Sequence, residues 1–384
     1  MSGSIVFTVD KMKLCHLTIS PIDYERRIFN EIDTAVQQGH QVHVYALGRP
    51  GEKKIENRDT FLLHRVKTVF YRGGPLKFIS FNIQLSLLVL AGHYDLFHCH
   101  DLWVLPAAVI GSMFRRSALI YDAHEYYAGL EIFQRKRLRK WIWLLTERIC
   151  IRRIQVLLTV SEKLGERYHS RYPALKQIEI IRNLPRTAQR DASKTTMVIN
   201  KNGRKIIIYQ GHFRPGRGLI NLIHAVAMTD NVRLFLIGNG ELEPELKNMV
   251  RSGKLEDRIY FHDFIPTSEL IAVSAQGDIG AVLFEPTSLN YAAALPNKFF
   301  EYIMAGLPVL CSDIETFTYY VNKYNFGLTV DPSDISAISR TITRMISDEQ
   351  QLSIWRQNAL RAAKDLRWEN EEKKLKNIYA QFKR

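Results

Sequence analysis

The sequence predicts an α/β protein built from two doubly wound domains that face a central cleft. Short apolar segments alternate with segments of helical periodicity, which is the pattern of strand–helix–strand units around a parallel sheet. The pattern stops at the polar, proline-bearing stretch Asn183–Thr196, which we interpret as a linker, and then begins again. A chain of 384 residues also exceeds the usual size of one domain, about 150 residues.

The first half opens with an apolar strand at Lys13–Ile19, followed by a helix at Arg26–Gln38 with apolar residues at helical spacing. Gly39 ends that helix, and Gln41–Ala46 alternates as a strand. The same rhythm continues through Asp95–His98, Leu105–Met113, Ala118–Asp122, Val156–Val160 and a helix that begins at Ser161.

The second half repeats this alternation. The predicted strands are Lys205–Tyr209, Val232–Ile237, Ile259–Phe261, Ile279–Leu283 and Val309–Cys311. The predicted helices between them are Leu219–Met228, Glu241–Val250, Leu270–Ala275 and Lys298–Ala305. From Ile335 onward the chain is expected to be mostly helical.

These two series of elements predict two domains, residues 1–187 and residues 188–366, each large enough for its own core. A final helix in residues 367–384 is expected to pack back toward the N-terminal domain. Ligands of doubly wound folds bind at the carboxyl ends of the strands. Residues that carry chemistry are therefore expected directly after the predicted strands.

The composition is that of a globular protein with an excess of positive charge. Apolar residues make up 46% and charged residues 24% of the chain, which argues against disorder and against an integral membrane protein. Lys and Arg number 53 against 39 Asp and Glu, a net charge of +14, so anionic partners are expected. The mostly apolar run Phe78–Ala91 is shorter than the roughly 20 residues of a membrane span, and it predicts a buried or amphipathic helix.

The four cysteines are scattered without a CxxC pair. This spacing disfavours a disulfide scaffold or a zinc ribbon and fits a reducing cytoplasm. The first ten residues lack the basic start and the cleavage site of a signal peptide. A cytoplasmic protein is therefore expected.

A first candidate anion site is the loop GHFRPGRGL, Gly211–Leu219, which leaves a predicted strand and enters a helix. Glycine lets backbone amides approach an anion, and the helix N-terminus carries partial positive charge. Arg214 and Arg217 add cations suited to phosphate oxygens. The loop has neither the GxGxxG nor the GK[ST] pattern, so dehydrogenases and ATPases lose support. A tight turn with solvated arginines is the alternative.

A second candidate is the segment LPNKFFEYIMAGLP, Leu295–Pro308. A turn at Pro296 and Asn297 opens a helix that carries Lys298 and Glu301, so its first amides again form an anion site. Glu301 lies about one turn into this helix, where a carboxylate suits sugar hydroxyls rather than phosphates. The alternative is a surface glutamate near a helix N-terminus.

A third candidate joins polar side chains that follow two strands of the first half: His98, His100 and Asp101 in HCHD, and Asp122, His124 and Glu125 in YDAHE. Neighbouring strand ends would bring these groups together. A metal site is one interpretation, because His, Asp and Glu bind zinc or iron. A polar pocket that faces a sugar is the other. The HxHxDH pattern of binuclear zinc hydrolases is not met.

The most basic stretch is QRKRLRKWIWLLTERICIRRI, Gln134–Ile154. It has a net charge of +7, from the acid Glu147 and eight cations: Arg135, Lys136, Arg137, Arg139, Lys140, Arg148, Arg152 and Arg153. Tryptophans interleave with these cations, which suits an amphipathic helix on an anionic membrane surface, through Arg135–Arg153. A solvated basic face that covers a core helix is an equal alternative. Nucleic-acid binding would use similar charge, but no recognised motif accompanies it.

Taken in order, these motifs resemble the retaining GT-B glycosyltransferases of family 4 over nearly the whole chain, from about Met12 to Arg384. In the first half the matching segments are ERRIFNEIDTAVQQGHQVHVYA, DLFHCHDLW, YDAHE, LLTVSEKLGERY and IIRNLP. In the second half they are YQGHFRPGRGLINLIHA, LFLIGNGELEPEL, IYFHDFIPTSEL, ALPNKFFEYIMAGLPVLCSD and NFGLTVDP. The segment around LPNKFFEY is the most specific of these.

The resemblance implies two Rossmann-like domains, with the nucleotide diphosphate in the C-terminal domain and the acceptor in the N-terminal domain. Arg217 takes the place of the family's lysine that neutralises the diphosphate. Glu301 matches the second glutamate of an E-x7-E motif, which contacts the ribose. The implied donor-binding residues are Gly211, Arg214, Arg217, Ile265, Pro296, Asn297, Lys298 and Glu301.

In the N-terminal domain, His100 matches the family's histidine near the donor sugar. The catalytic candidates are His100, Asp101, His124 and Glu125. Two positions depart from the family pattern: the first motif glutamate falls at Ala293, and His212 stands where the motif has arginine. These departures leave open a catalytically silent binding protein with the same fold.

The activity implied by the resemblance is the transfer of a hexose from a nucleotide sugar, UDP before GDP, to a hydroxyl of a glycan or lipid-linked acceptor in surface-polysaccharide biosynthesis. No cofactor and no metal are expected, because GT-B enzymes usually need no metal and the chain has no DxD motif. A metal-dependent hydrolase that uses His98, His100, Asp101 and His124 is a weaker alternative. The expected location is the cytoplasm, with peripheral contact at the inner face of the cell membrane as an open alternative, and no nucleic-acid partner is expected.

Overall fold

The computed structural model describes residues 11–68, 75–129, 137–187, 195, 197–287, 291 and 295–383. The chain divides into two compact units: unit 1 comprises Met1–Arg182 and Glu371–Arg384, and unit 2 comprises Asn183–Asn370. The predicted domain limits at 187/188 and 366/367 lie a few residues from these boundaries. Within the predicted linker, residues 188–194 and Thr196 lie outside the described residues.

Unit 1 is built on a sheet of eight described strands. They are β1 (Lys13–Leu17), β2 (Gln41–Leu47), β3 (Ile55–Arg58), β4 (Phe61–Val66), β5 (Leu96–His100), β6 (Ala118–Ala123), β7 (Val156–Thr159) and β8 (Ile178–Ile180). Their order is β3-β4-β2-β1-β5-β6-β7-β8, and the neighbours are parallel except for β3 and β4. Since β1 pairs with both β2 and β5, the chain turns to opposite sides of the sheet from this strand, which opens a crevice at its carboxyl end.

The helices of unit 1 are α1 (Arg26–Gln37), α2 (Pro75–Ala91), α3 (Leu105–Arg115), α4 (Arg137–Cys150) and α5 (Glu162–Arg171). Local sequence sets several of their ends. Gly39 follows α1 with a φ of 81°, a backbone conformation that glycine adopts without strain. Ser161 caps α5, because its hydroxyl oxygen accepts a hydrogen bond from the Leu164 amide at 3.3 Å.

Unit 2 contains a six-stranded parallel sheet in the order β11-β10-β9-β12-β13-β14. Its strands are β9 (Lys205–Gln210), β10 (Val232–Ile237), β11 (Ile259–His262), β12 (Ile279–Val282), β13 (Val309–Ser312) and β14 (Gly327–Val330). Its helices are α6 (Leu219–Ala227), α7 (Glu243–Ser252), α8 (Thr267–Ser274), α9 (Asn297–Ala305), α10 (Glu315–Tyr324), α11 (Ile335–Ser347) and α12 (Glu349–Asp365). The last helix, α13 (Trp368–Ala380), begins in unit 2 and continues in unit 1.

The sheet of unit 2 is covered on both faces, as a doubly wound fold requires. Alternate residues of β9 belong to two different buried clusters: Ile206 and Ile208 to one, Ile207 and Tyr209 to the other. Because successive side chains of a strand point to opposite faces, each cluster lies on its own side of the sheet. The predicted fold class, α/β with two Rossmann-like domains, is confirmed.

The elements predicted in order from the sequence lie within about three residues of those observed. The hairpin β3–β4 was not predicted, because β3 is short, partly exposed and lacks an apolar run. It adds an antiparallel edge to a sheet that the sequence predicted to be parallel. The helix α10 and the strands β8 and β14 were also missed.

The run Phe78–Ala91 is helical, as predicted, but its outer face is not polar. Phe81, Leu85 and Val89 are buried, whereas Ile83 and Leu87 are 57% and 66% exposed. α2 is therefore a helix with one buried side, as expected for a segment too short to span a membrane, but its exposed side is apolar. Among the described residues, no helix combines the length and the hydropathy needed to cross a membrane.

A substitution at Gly218 tests how closely the backbone packs where α6 begins. It has a φ of 66°, and a Cβ placed there would lie 2.2 Å from the Leu283 carbonyl oxygen. We expect Gly218→Ala to lower the free energy of unfolding by at least about 2 kcal/mol more than Gly203→Ala, measured by urea denaturation. Gly203 is the control, because it has a similar φ of 72° and open space around its Cα. Equal losses would show that the Leu283 contact relaxes freely.

Candidate functional site

The centre of the polar cluster in unit 1 is a buried ion pair between α1 and β6. Arg27 donates two hydrogen bonds to the Asp122 carboxylate, at 2.8 Å from Nε and 2.7 Å from Nη2. Its Nη1 donates to the Ile181 carbonyl at 2.6 Å. Both side chains are almost completely buried. Burial would raise the pKa of Asp122, but Arg27 and then His124 hold it well below its usual range.

His124 connects this pair to the partly exposed end of the strands. Its Nε2 donates to Asp122 Oδ2 at 2.9 Å, and its Nδ1 lies 3.6 Å from Asp101 Oδ1. Burial alone would lower the pKa of His124, but the carboxylates of Asp101 and Asp122 outweigh burial and raise it to about 9. At neutral pH the ring is therefore an imidazolium held between two carboxylates.

Asp101 has a strained backbone. Its φ is 72°, in the left-handed region that favours glycine, directly after β5. Its amide donates to the Asp122 carbonyl at 2.9 Å, and its carboxylate accepts a hydrogen bond of 2.5 Å from the Tyr127 hydroxyl. Such strain costs about 1–3 kcal/mol and persists where surrounding contacts fix it, which is common at functional sites.

Behind these groups lies a fully buried set of side chains: His16, Glu31, His98 and His100. Burial and then the Asp122 carboxylate raise the pKa of Glu31 well above its usual range. Burial lowers the pKa of each of the three histidines. His16 Nδ1 and His100 Nε2 share a hydrogen bond of 3.0 Å, and His98 Nδ1 shares one of 2.8 Å with the Tyr379 hydroxyl.

Part of this set has the geometry of a metal site. Ligand atoms of Glu31, His98, His100 and Asp122 lie within 4.8 Å of one another, and so do those of His16, His98 and His100. Asp101 and His124, which the metal hypothesis included, belong to neither group. Asp122 is also committed to Arg27 through both carboxylate oxygens. The residues that remain as candidate metal ligands are therefore the buried side chains of His16, Glu31, His98 and His100.

Unit 2 brings together two basic side chains, Arg217 and Lys298, and neither forms a salt bridge with a described carboxylate. The Arg217 guanidinium lies 4.1 Å and Lys298 Nζ lies 5.9 Å from the centroid of the Phe284 ring. Lys298 Nζ also lies 3.5 Å from the centroid of Tyr209. Burial and then Arg217 lower the pKa of Lys298 well below its usual range. Two cations that share one aromatic ring repel each other, so an anion bound beside them would be strongly favoured.

The two predicted anion loops meet at this point. Gly211 has a φ of 120°, and a Cβ placed there would lie 3.3 Å from Lys298 Nζ, so the glycine leaves room for the ammonium group. Lys298 belongs to the first turn of α9, whose leading amides have no acceptor within the helix. Backbone donors and two side-chain cations therefore surround the same small region after β9.

Glu301 is buried one turn further along α9 and is oriented by a hydrogen-bond chain. Gln210 Nε2 donates to Glu301 Oε2, and Gln210 Oε1 accepts a hydrogen bond from the Ser274 hydroxyl at 2.7 Å. Tyr302 holds the backbone of the same strand, because its hydroxyl oxygen accepts from the Gln210 amide at 3.0 Å. The carboxylate thus has a fixed position close to Lys298.

The other predicted residues fall at different depths. Glu125, Arg214, Asn297 and His212 are exposed, Pro296 is half-buried, and Ile265 is buried. His100 is fully buried against Asp122, at 3.4 Å, rather than open to solvent. Ala293 lies outside the described residues.

Sequence reasoning missed several residues that this geometry shows: His16, Arg27, Glu31, Gln210 and Phe284. Arg27 and Glu31 lie on the buried face of α1, four residues apart. Two charged residues four positions apart on the buried side of an amphipathic helix were the available signal, because such charges are rarely buried without a partner.

Each half of the chain matches the model of a known protein family. Residues 24–184 match the model described as Glycosyltransferase Family 4, and residues 194–362 match the model described as Glycosyl transferases group 1. Together the two matches cover most of the chain and separate close to the boundary between units 1 and 2.

Individual proteins show more distant similarity. The O-antigen chain mannosyltransferase B of Escherichia coli is 29% identical over 45% of this chain and 45% of its own length. The 2-deoxystreptamine glucosyltransferase of Streptomyces kanamyceticus is 23% identical over 66% of this chain and 68% of its own. The crystal structure of Anabaena HepE in complex with UDP aligns with 96% of this chain and 100% of its own, with a TM-score of 0.75 and 15% identity. The alignment with the first of these relatives thus spans less than half of that protein.

The charge on His124 can be tested by NMR titration of its ring. We expect a pKa of about 9 in the unmodified protein and a decrease of about one unit or more in Asp101→Asn, because a carboxylate that favours the imidazolium is lost. Asp257→Asn, which removes an exposed carboxylate of unit 2, should leave the titration unchanged.

The free energy of unfolding should depend on the charge of His124 as well. Because the folded pKa of His124 is raised above the ordinary value of 6.5, its contribution is complete below that pH and is lost as the pH rises through about 9. The stability difference between the unmodified protein and Asp101→Asn should therefore shrink over this range. A constant difference would contradict the assignment of the imidazolium.

Proposed function

Because the chain belongs to the group 1 and family 4 glycosyltransferases, we propose that it transfers a sugar from a nucleotide-sugar donor to an acceptor hydroxyl with retention of configuration. The observation that carries this proposal is the pair Arg217 and Lys298 beside Phe284, two basic side chains that form no salt bridge with a described carboxylate. A nucleoside diphosphate supplies the charge that this arrangement needs. Unit 2 is accordingly the donor-binding part of the proposal.

Each donor-site group has a chemical role in the proposed reaction. Arg217 and Lys298 bind the diphosphate, together with the amides of the first turn of α9. Glu301, held by Gln210, accepts hydrogen bonds from the ribose hydroxyls. As the bond to the sugar breaks, negative charge grows on the leaving diphosphate, and the same cations stabilise it.

Unit 1 supplies the proposed acceptor side. His124 and Asp101 are the partly exposed members of its polar cluster, whereas Arg27 and Asp122 are buried and position them. We assign acceptor orientation to Asp101 and His124, and we keep His100 as a buried positioning residue. An acceptor hydroxyl attacks from the face that the diphosphate leaves, so no covalent nucleophile is needed.

UDP is the proposed nucleotide, and a glycan or lipid-linked acceptor of surface-polysaccharide biosynthesis is the proposed partner. The complex of Anabaena HepE with UDP and the O-antigen mannosyltransferase of Escherichia coli support these two choices.

Donor binding provides the direct test. We expect Arg217→Ala and Lys298→Met each to weaken UDP binding by about 1–3 kcal/mol, measured by calorimetry, since each removes charge-assisted contacts to the diphosphate. Glu301→Gln should weaken binding of UDP more than that of inorganic diphosphate, because only UDP carries a ribose. Arg340→Ala, which removes an exposed cation of the same unit, is the control. Unchanged affinity in all three donor-site variants would refute the site.

A metal-dependent hydrolase is the second candidate, since Glu31, His98 and His100 have ligand atoms close together. The two functions differ in metal content and in chelator sensitivity. We expect transfer from the nucleotide sugar to continue after dialysis against EDTA, with less than one bound zinc or iron per chain by elemental analysis. Stoichiometric metal together with loss of activity in EDTA would favour the hydrolase.

A further inference from the structure

Unit 1 exposes an unusual concentration of large apolar side chains on three consecutive helices. Thirteen of the nineteen large apolar side chains that are exposed in the described residues lie on α2, α3 and α4. We name this set the α2–α4 face: Leu76, Ile79, Ile83, Leu87, Leu88, Ile110, Met113, Phe114, Leu138, Trp141, Ile142, Leu145 and Ile149. Single exposed apolar residues are ordinary, but a cluster of this size marks an interaction surface.

The three helices are packed side by side, with α3 in contact with both α2 and α4. Phe78 of α2, Trp103 before α3 and Trp143 of α4 form one aromatic cluster, with ring centroids 4.8–5.5 Å apart. On α4 the exposed residues recur every three or four positions, so they occupy one side of the helix. The apolar stripes therefore belong to a single surface.

The inward side of α4 is fixed by its only acid. Glu147 is buried, and its carboxyl oxygens accept hydrogen bonds from the hydroxyls of Tyr121, Tyr168 and Tyr172 at 3.2, 3.3 and 2.7 Å. A rotation of the helix would break all three bonds and bury basic residues. The outward position of Trp141 and Leu138 is thus a consequence of specific packing.

On the three helices of this face, the exposed charges of the described residues have one sign. Over their described lengths α2 and α3 contain no Asp or Glu, and the acid of α4 is buried. Arg116, Arg137, Arg139, Lys140 and Arg148 surround the apolar residues, and none forms a salt bridge with a described carboxylate. Arg135 and Lys136 of the predicted basic stretch lie outside the described residues.

We propose that the α2–α4 face docks on an anionic lipid bilayer, with its apolar side chains in the boundary between headgroups and acyl chains and its cations on lipid phosphates. Tryptophan beside arginine and lysine on an exposed apolar helix is the composition of interfacial helices. A second copy of the chain fits less well, because a two-fold contact would bring two cationic faces together. The docking goes beyond the proposed transferase activity and does not depend on it.

The test is sedimentation with vesicles of equal parts phosphatidylglycerol and phosphatidylcholine, compared with vesicles of phosphatidylcholine alone, without donor. We expect binding to the anionic vesicles that weakens as salt is added, since the Debye length falls from about 10 Å at 0.1 M to about 3 Å at 1 M. Binding that ignores both the lipid charge and the salt would overturn the electrostatic half of the proposal.

Two triple variants separate the apolar and cationic contributions. Leu87→Gln with Met113→Gln and Trp141→Gln changes one exposed residue on each helix, and we expect at least a tenfold loss of vesicle binding. Arg137→Gln with Lys140→Gln and Arg148→Gln should lose on the order of a hundredfold on anionic vesicles. The matched controls lie in unit 2: Val198→Gln with Met228→Gln for exposed apolar residues, and Arg251→Gln with Lys254→Gln and Arg340→Gln for exposed cations.

All variants should keep the affinity for UDP, so a failure of docking is distinct from a failure of the donor site. Analytical ultracentrifugation without vesicles tests whether a second copy of the chain binds to this face instead. A concentration-dependent dimer that disappears in the apolar variant, with no vesicle binding, would show that a second copy covers this face and would overturn the proposal.

Discussion

The polar architecture of unit 1 depends on the buried ion pair of Arg27 and Asp122. Removing two charges from water costs several kcal/mol per ion, so such a pair is stable only when every remaining donor and acceptor is satisfied. Here the Ile181 carbonyl takes the third guanidinium bond and His124 takes a second bond to Asp122. The pair fixes the negative charge on Asp122, which helps to raise the pKa of the nearby Glu31, and it ties α1 to the end of β6.

Unit 2 follows the opposite rule, since its buried cation has no described carboxylate within salt-bridge distance. Lys298 and Arg217 face the rings of Tyr209 and Phe284, and cation–π contacts are worth about 0.5–2 kcal/mol, less than a buried carboxylate would provide. The arrangement costs stability in the free protein, and the proposed anionic ligand would restore it on binding. Unit 1 thus neutralises its buried charge internally, whereas unit 2 leaves positive charge available for the diphosphate that we propose it binds.

The sequence predicted the parts of the site that follow strands, because a strand end is a local feature. His124 and Asp101 were found from YDAHE and HCHD, and Arg217 and Lys298 from the two loops. Arg27 and Glu31 were not, because they lie within α1 rather than after a strand, and they meet Asp122 only through packing across 95 and 91 positions of the chain. The exposed apolar side of α2 could not be predicted for the same reason: hydropathy shows that a helix is apolar, but not which side other elements cover.

The helix α4 buries its acid and exposes its apolar side chains, and this arrangement gives the cations around it a role. A helix that buries its one acid under three tyrosines and exposes Trp141 and Leu138 is unfavourable in water, because apolar surface costs roughly 25 cal/mol per Å² of exposure. A large exposed apolar patch also promotes self-association, which like charges oppose. The unpaired cations around the α2–α4 face therefore serve two ends at once. They keep copies of the protein apart, and they attract the one kind of surface, anionic and apolar beneath, that relieves both the charge and the exposure.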